Sequence, residues 1–288
     1  MYAVAGVTGH TGSLVARALL DRGESVRAIV RNREHIYKWR DRGAEVMVAD
    51  LNDVPALAMA LDQVKGAYLL SPQSVYDDRP LEKWARQNES IVAAVQKAQL
   101  KNTVLLSSIG AHQKRSPGLV RGLYDAEQKF KDAKVPVTAL RPAYFYENWI
   151  AALNAVHEKD QLPTYLDPDR SIPMVSVEDV ARTAVELLLN PADSSRVVEL
   201  SGPREYSPKD ILNILEQTLN RKLALYLYPE KEWRKLWDKE GVDPEMIELL
   251  TETYDGLNHQ KITFSGNNVE SRQGTVAMEE ILGKWVLE

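Results

Sequence analysis

Three glycines, one arginine and a few serines carry the chemistry that this sequence offers. Gly6, Gly9 and Gly12 stand three residues apart in "GVTGHTG", directly after an apolar run and at the head of a helix-like stretch. A strand that breaks into such a turn and re-forms as a helix is the setting in which a glycine triplet cradles a phosphate. Gly6 makes the tight turn. Gly9 lets the backbone approach a pyrophosphate with no Cβ in the way. Gly12 lets the helix pack closely on the strand. The helix N-terminus adds unpaired N–H groups and a partial positive charge. The expected contacts are Gly6, Val7, Thr8, Gly9, His10, Thr11 and Gly12. The competing reading is a glycine-rich turn without a ligand.

The second strand ends "AIVRN" and carries no carboxylate at its tip. A site for NAD places Asp or Glu about 20 residues after the glycines, to bond the ribose 2'-hydroxyl. Arg31 stands there instead. A guanidinium suits a 2'-phosphate, since its fork makes charge-assisted bonds. NADP(H) is therefore favoured over NAD, with His10 and Arg33 as possible helpers. The alternative for Arg31 is a solvated surface arginine. Asp50 and Leu51 follow the third strand in "VADLND". A carboxylate at that edge either accepts the adenine amino group or, as Asp50 or Asn52, caps the next helix. Ser71 in "LLSPQS" and Ser107 and Ser108 in "LLSSIG" reach the same edge and would face cofactor and substrate.

These residues must be positioned by a layered framework. Apolar runs Ala3–Val7, Val26–Val30, Glu45–Val48, Ala67–Leu70, Thr103–Ser107 and Val137–Leu140 read as strands. They alternate with helical stretches near Gly12–Arg22, Asn32–Arg42, Val54–Leu61, Leu81–Ala98 and Tyr124–Ala133. Short, nearly continuous apolar strands separated by helices imply a parallel sheet covered on both faces, and right-handed crossovers make it doubly wound. Further on, "YENWIAALNAVHEK" and "SVEDVARTAVELLLN" read as helices. Ser176 and Asp179 are spaced as a capping box at the head of the second. "RVVEL" and "KLALYLYP" read as strands. "SPKDILNILEQTL" starts a helix with Ser207, Pro208 and Asp210. Residues 230–260 read as helical, with Trp233, Leu236 and Trp237 on one side.

The totals bound the function. The chain has 288 residues, 44% hydrophobic and 27% charged, with a net charge of -5 and no cysteine. This is the composition of a globular protein with no global basic field for nucleic acid or anionic lipid. Thiol catalysis and disulfides are excluded. No apolar run approaches the roughly 20 residues of a membrane span, and no basic leader precedes the first one, so a cytoplasmic protein is expected. The five histidines are scattered without metal-ligand spacing, so no metal is expected.

Taken in order, "GVTGHTG", "AIVRN", "VADLND", "LLSSIG", "TALRPAYFYENW" and "VSVEDVA" resemble the NmrA-like family, an atypical branch of the short-chain dehydrogenases/reductases. The resemblance runs over nearly the whole chain and is strongest to a bacterial group of NADPH:quinone oxidoreductases and triarylmethane-dye reductases. It implies a Rossmann-type α/β domain over residues 1–150 and a smaller mixed α/β substrate domain over residues 151–288, with segments near 172–203 returning to the first. It implies that Pro142, Ala143 and Tyr144 line a nicotinamide pocket. The aromatic "AYFYENW" suits a flat apolar substrate, or packs the domain junction through Tyr144, Phe145 or Tyr146.

One departure stands out. The superfamily's Tyr-x-x-x-Lys pair would fall in "GLYDAEQKFKDAK", where Tyr124 is followed at the fourth position by Gln128 and Lys129 is turned off that face. Alignment puts Leu123 where a polar catalytic residue is expected. Ser107, Tyr144 and Tyr124 are the remaining catalytic candidates, with His112 as a polar neighbour of the substrate. The expectation is hydride transfer from NADPH to a quinone-like or aromatic small molecule, which needs proximity and orientation more than a side-chain acid. The alternative is a redox-sensing regulator that binds NADP and acts on a protein partner. A homodimer is compatible with either.

Overall fold

The computed structural model describes residues 1–287. Its main sheet has eight parallel strands. Six come from the first half of the chain: β1 (Tyr2–Val4), β2 (Val26–Val30), β3 (Glu45–Val48), β4 (Gly66–Leu70), β5 (Thr103–Leu106) and β6 (Thr138–Pro142). Helices α1 (His10–Asp21), α2 (Ile36–Arg40), α3 (Val54–Ala60), α4 (Pro80–Lys97) and α5 (Val120–Asp132) connect them. Alternation along β1 shows why the sheet is covered twice. Tyr2 and Val4 enter one core with Val15 and Leu19 of α1. Ala3 and Ala5 enter the opposite core with Leu57, Ile91 and Phe130 of α3, α4 and α5.

The strand order places β1 between β2 and β4. From β1 the chain winds outward through β2 and β3, then returns to β4 on the other side. Such a reversal opens a crevice at the strands' C-terminal ends, where ligands of doubly wound sheets bind. The first strand is shorter than its apolar run, because Gly6 at φ +66° turns the chain out of the sheet.

Beyond β6 the chain builds a second region. β7 (Tyr144–Phe145) runs through a 3-10 turn (Tyr146–Trp149) into α6 (Ile150–Lys159) and β8 (Gln161–Thr164). β9 (Ile172–Val175) leads into α7 (Val177–Leu189), and β10 (Arg196–Ser201) joins the main sheet beside β6. Then come β11 (Glu205–Tyr206), α8 (Pro208–Leu219), β12 (Ala224–Leu227), α9 (Glu230–Lys239) and α10 (Pro244–Asn258). β13 (Glu270–Gln273) adds the outer strand of the main sheet, and α11 (Met278–Leu287) follows. The minor sheets are β11-β9-β7 and β12-β8. Among the described residues no helix is long and apolar enough to cross a membrane.

Two caps separate expectation from outcome. At α8 the reciprocal box forms: Ser207 N–H donates to Asp210 at 2.8 Å and Asp210 N–H donates to Ser207 Oγ at 3.2 Å. At α7 the box does not form, and the serine caps the helix through another donor. Ser176 Oγ accepts from Glu178 N–H at 3.1 Å, but Asp179 turns into the core. There it pairs with Arg182 and accepts the Val276 N–H at 3.0 Å, fixing the segment that enters α11. Gly274 leaves room for this carboxylate, since a Cβ there would collide with it.

Candidate active site

A cavity of about 740 Å³ lies along the C-terminal edge of the main sheet. Its floor is the turn after each central strand. Gly6, Thr8, Gly9, His10 and Thr11 follow β1. Arg31, Asn32 and His35 follow β2. Asp50, Leu51 and Asn52 follow β3, Ser71 and Gln73 follow β4, Ser107 and Ser108 follow β5, and Pro142, Ala143, Tyr144 and Phe145 follow β6. Leu119, Val120 and Leu123 from the head of α5, with Leu257 and Ile262 from the second region, close one end with apolar surface, and Thr253 adds a hydroxyl there.

The three glycines divide their work as their surroundings dictate. A Cβ on Gly12 would sit 2.5 Å from the Gly6 carbonyl carbon and oxygen and would also strike Ala5 O, so α1 touches the β1 backbone there. A Cβ on Gly9 would meet nothing nearer than Gly6 O at 3.5 Å. Gly9 therefore borders open space on the cavity side, and its extended backbone (φ -98°) is open to any residue. Gly12 and Val7 do not line the cavity. Gly12 packs, and Val7 is a buried member of the core around α1. α1 begins at His10 with no side-chain cap, so its first N–H groups face the cavity mouth unsatisfied by the protein.

Arg31 is exposed at the tip of β2 and lies within ion-pair distance of no carboxylate among the described residues. Arg33 is not part of the lining, while His35 is, held 3.2 Å from Glu34. Asp50 lines the cavity and accepts from Asn52 N–H at 2.8 Å and Asn52 Nδ2 at 2.9 Å. The helix cap is neither of these residues. Asp53 caps α3 by accepting from Ala56 N–H at 3.0 Å.

At the β5 end, Ser107 donates its hydroxyl proton to Glu127. Glu127 in turn accepts from Arg141 Nε at 2.8 Å and from its Nη2, and Arg141 lies 3.6 Å from Glu199. All three charged side chains are buried. Glu199 is further satisfied by Ser265 N–H at 2.8 Å and Gly266 N–H at 3.1 Å. Burial works against the Arg141 charge. The two carboxylates more than offset it and hold its pKa above the ordinary value. Ser107 therefore presents lone pairs, not a proton, to the cavity.

Tyr144 is half-buried, and burial pushes its phenol up to about 12 against the opposing hydrogen bonds with Asn148 and Tyr254. It stays a neutral hydrogen-bonding group at physiological pH. Tyr146 is fully buried and donates to Val276 O at 3.3 Å, so it packs the junction. Tyr124 and His112 lie outside the lining. Tyr124 is turned away from the face that Leu123 presents, and burial, then Arg141, lowers the pKa of His112. Residues that the sequence did not single out complete the wall, notably Gln73, Gln87, Glu147 and Thr253. One signal was present: an arginine in the middle of an apolar strand, Arg141, requires a buried partner.

Comparison with known proteins agrees with this architecture. The NAD(P)H azoreductase of Xenophilus azovorans is 22% identical over 254 residues, covering 88% of this chain and 86% of that protein. The crystal structure of the NADPH-dependent quinone oxidoreductase QOR2 of Escherichia coli, complexed with NADPH, superimposes with a TM-score of 0.82 at 21% identity, covering 99% of each chain. The triphenylmethane reductase of Citrobacter sp. gives 0.82 at 22% identity, covering 100% of this chain and 99% of that one. Residues 2–281 match the sequence profile of one family, and with the glycine turn, the switch point and the second region in place the chain belongs to the NmrA-like family.

Proposed function

We propose that this protein is an NADPH-dependent oxidoreductase that passes hydride to a quinone-like or conjugated small molecule. The observation that carries the reading is the pairing of the glycine cradle with an unneutralised Arg31 in one cavity. The backbone at Thr8–Thr11 would hold the pyrophosphate, and Arg31 the 2'-phosphate. Asp50 and Leu51 would border the adenine, and Pro142, Ala143 and Tyr144 the nicotinamide. When bound, NADPH supplies a hydride, and a quinone that takes it gains one proton from water to become the hydroquinone. The protein's part is to orient. Ser107 accepts hydrogen bonds at a fixed angle set by Glu127. Tyr144 and Asn148 offer neutral polar groups beside an apolar wall of Leu119, Leu123, Leu257 and Ile262. That wall excludes water and suits a flat, apolar acceptor.

In this reading Leu123 and Glu127 take the two positions, one helical turn apart on α5, where the superfamily's tyrosine and lysine would act together; Leu123 lines the cavity and Glu127 lies behind Ser107. A leucine passes no proton, and a carboxylate tied to Arg141 lowers no phenol's pKa. Acceptors that need a strong side-chain acid, such as simple ketones, are accordingly poor substrates in this reading.

The test is NADPH oxidation with a panel of quinones and azo or triarylmethane dyes. Turnover of these without turnover of simple ketones supports the reading. Tight NADP binding with no turnover of any acceptor gives instead a sensor of the NADP redox state that acts through a protein partner. A binding measurement on Arg31→Glu checks the cofactor assignment. Losing a charge-assisted bond worth about 1.5–3 kcal/mol weakens NADPH binding roughly 10- to 100-fold. NADH binding should change far less. Equal losses for both nucleotides would remove Arg31 from the 2'-phosphate site.

A further inference from the structure

Glu147 has no role in the scheme above, and its surroundings call for one. It lies in the 3-10 turn between β7 and α6 and lines the main cavity. It also lines a second cavity of about 360 Å³ on the far side of the glycine turn. The wall between the two is made by Thr8, Gly9, His10, Glu147 and Val177. Each carboxylate oxygen of Glu147 lies 3.2 Å from one donor, the Val177 N–H that opens α7.

No cation neutralises this carboxyl among the described residues. Arg17 of α1 turns back to Ser13, at 3.3 Å to the carbonyl and 3.4 Å to the hydroxyl. Lys284 of α11 pairs with Glu178 at 3.2 Å. Arg182 is taken by Asp179. The charges of Glu178 and Asp179 on α7 both disfavour a third negative charge here, and His10 of α1 faces both cavities. The N–H groups at the head of α7 favour an anion, but burial outweighs them.

We propose that Glu147 belongs to the nucleotide site and must carry a proton when a pyrophosphate occupies the glycine turn, so that cofactor binding takes up a proton. The inference rests on the reading of that turn as a pyrophosphate cradle. A phosphate held by Thr8–His10 brings negative charge against the wall that Glu147 shares with them, and like charges in a partly dry cavity cannot both persist cheaply. The carboxyl is already poised for the change. Burial, with Glu178 and Asp179 adding to it, lifts it to about 7 without the nucleotide, against its own turn's N–H and that of Val177.

The sign follows from linkage. Below pH 7 the proton is already present, and binding takes up none. Above it the free protein has lost the proton and the complex regains it, so affinity falls as pH rises. A bound-state pKa one to two units higher predicts NADP+ binding roughly 10- to 100-fold weaker well above the bound-state value than below pH 7. In Glu147→Gln, which keeps an acceptor for Val177 N–H and carries no charge, this part of the pH dependence should vanish.

Calorimetric titration with NADP+ at about pH 8, in two buffers of different ionisation heat, counts the protons. His10 and His35 line the same cavity, so the quantity read is the count in wild type minus the count in Glu147→Gln. A difference of about 0.4 to 0.8 proton, the uptake at pH 8 when a pKa of about 7 rises by one to two units, supports the proposal. So does a carboxylic-acid C=O band that appears in the infrared difference spectrum on adding NADP+ to wild type but not to the variant. Equal counts, or no such band, overturn it while nucleotide binding stands. Failure of wild type to bind NADP+ at any pH overturns the cradle itself and this inference with it.

Discussion

Gly12→Ala is expected to destabilise the fold, while Gly9→Ala is expected to leave the fold intact and abolish tight nucleotide binding. The two glycines belong to one turn but answer to different neighbours. At Gly12 the new methyl would stand 2.5 Å from two Gly6 backbone atoms and against Ala5 O. None of these is the end of a flexible side chain. α1 cannot simply move off the sheet, because Val15, Ala16 and Leu19 are locked in a core shared with Val180 and Ala184 of α7. Overpacking of this kind costs about 1–3 kcal/mol and more when backbone must shift. The better helix propensity of alanine returns at most about 1 kcal/mol, so the clash wins. At Gly9 the backbone is extended and the nearest atom is 3.5 Å away, so the protein has room. In the proposed site the methyl instead intrudes on the space assigned to the pyrophosphate. Chemical denaturation should show a lowered midpoint for Gly12→Ala and little change for Gly9→Ala. NADPH titration should show at least a tenfold loss for Gly9→Ala, one factor of ten being about 1.4 kcal/mol. Undiminished binding by Gly9→Ala would remove the turn from the cofactor site.

What the sequence makes legible follows from how locally each feature is determined. Gly6 needs a positive φ, Gly12 needs a missing Cβ, and the apolar strands need two covered faces. These are constraints on single residues or short windows, so spacing reveals them. β13 is different. "ESRQ" has no apolar alternation and is held by backbone pairing with β10 along the sheet's outer edge. The Ser176–Asp179 spacing is a true local signal that a distant partner overrides. Asp179 serves the Val276 N–H, 97 residues further on. The apolar end of the cavity has no local signal at all. Leu123, Thr253, Leu257 and Ile262 meet only because α10 and the loop after it fold back over α5. Glu147 is hidden in an aromatic run that reads as core, and its chemistry depends on α1 and α7 converging beside it.

Glu127 supports both stability and the site, and removing it should separate the two. The carboxylate makes two hydrogen bonds to Arg141 and receives one from Ser107. In Glu127→Ala the guanidinium stays buried with only Glu199, 3.6 Å away, as a counter-charge. Breaking a buried pair from one side typically costs about 3–5 kcal/mol, a large share of the 5–15 kcal/mol that holds a domain together. Chemical denaturation should therefore show a large loss, and the variant is a poor choice for kinetics. Glu127→Gln is the informative change. One carboxylate oxygen, Oε1, receives both the Ser107 hydroxyl and Arg141 Nε, while Oε2 receives only Arg141 Nη2. An amide that keeps its oxygen at Oε1 retains two of these three bonds and turns its NH2 towards Nη2; the opposite orientation sets NH2 against the Arg141 Nε–H. Ser107 therefore goes on donating to the residue at 127, now a neutral and weaker acceptor, and its lone pairs still face the cavity. If Ser107 orients the nicotinamide or the acceptor by accepting a bond, Ser107→Ala should lower kcat for quinone reduction with a smaller change in KM for NADPH, while Glu127→Gln should lose stability and keep most of kcat. A Ser107→Ala enzyme with unaltered kcat would make the serine a purely structural partner of Glu127.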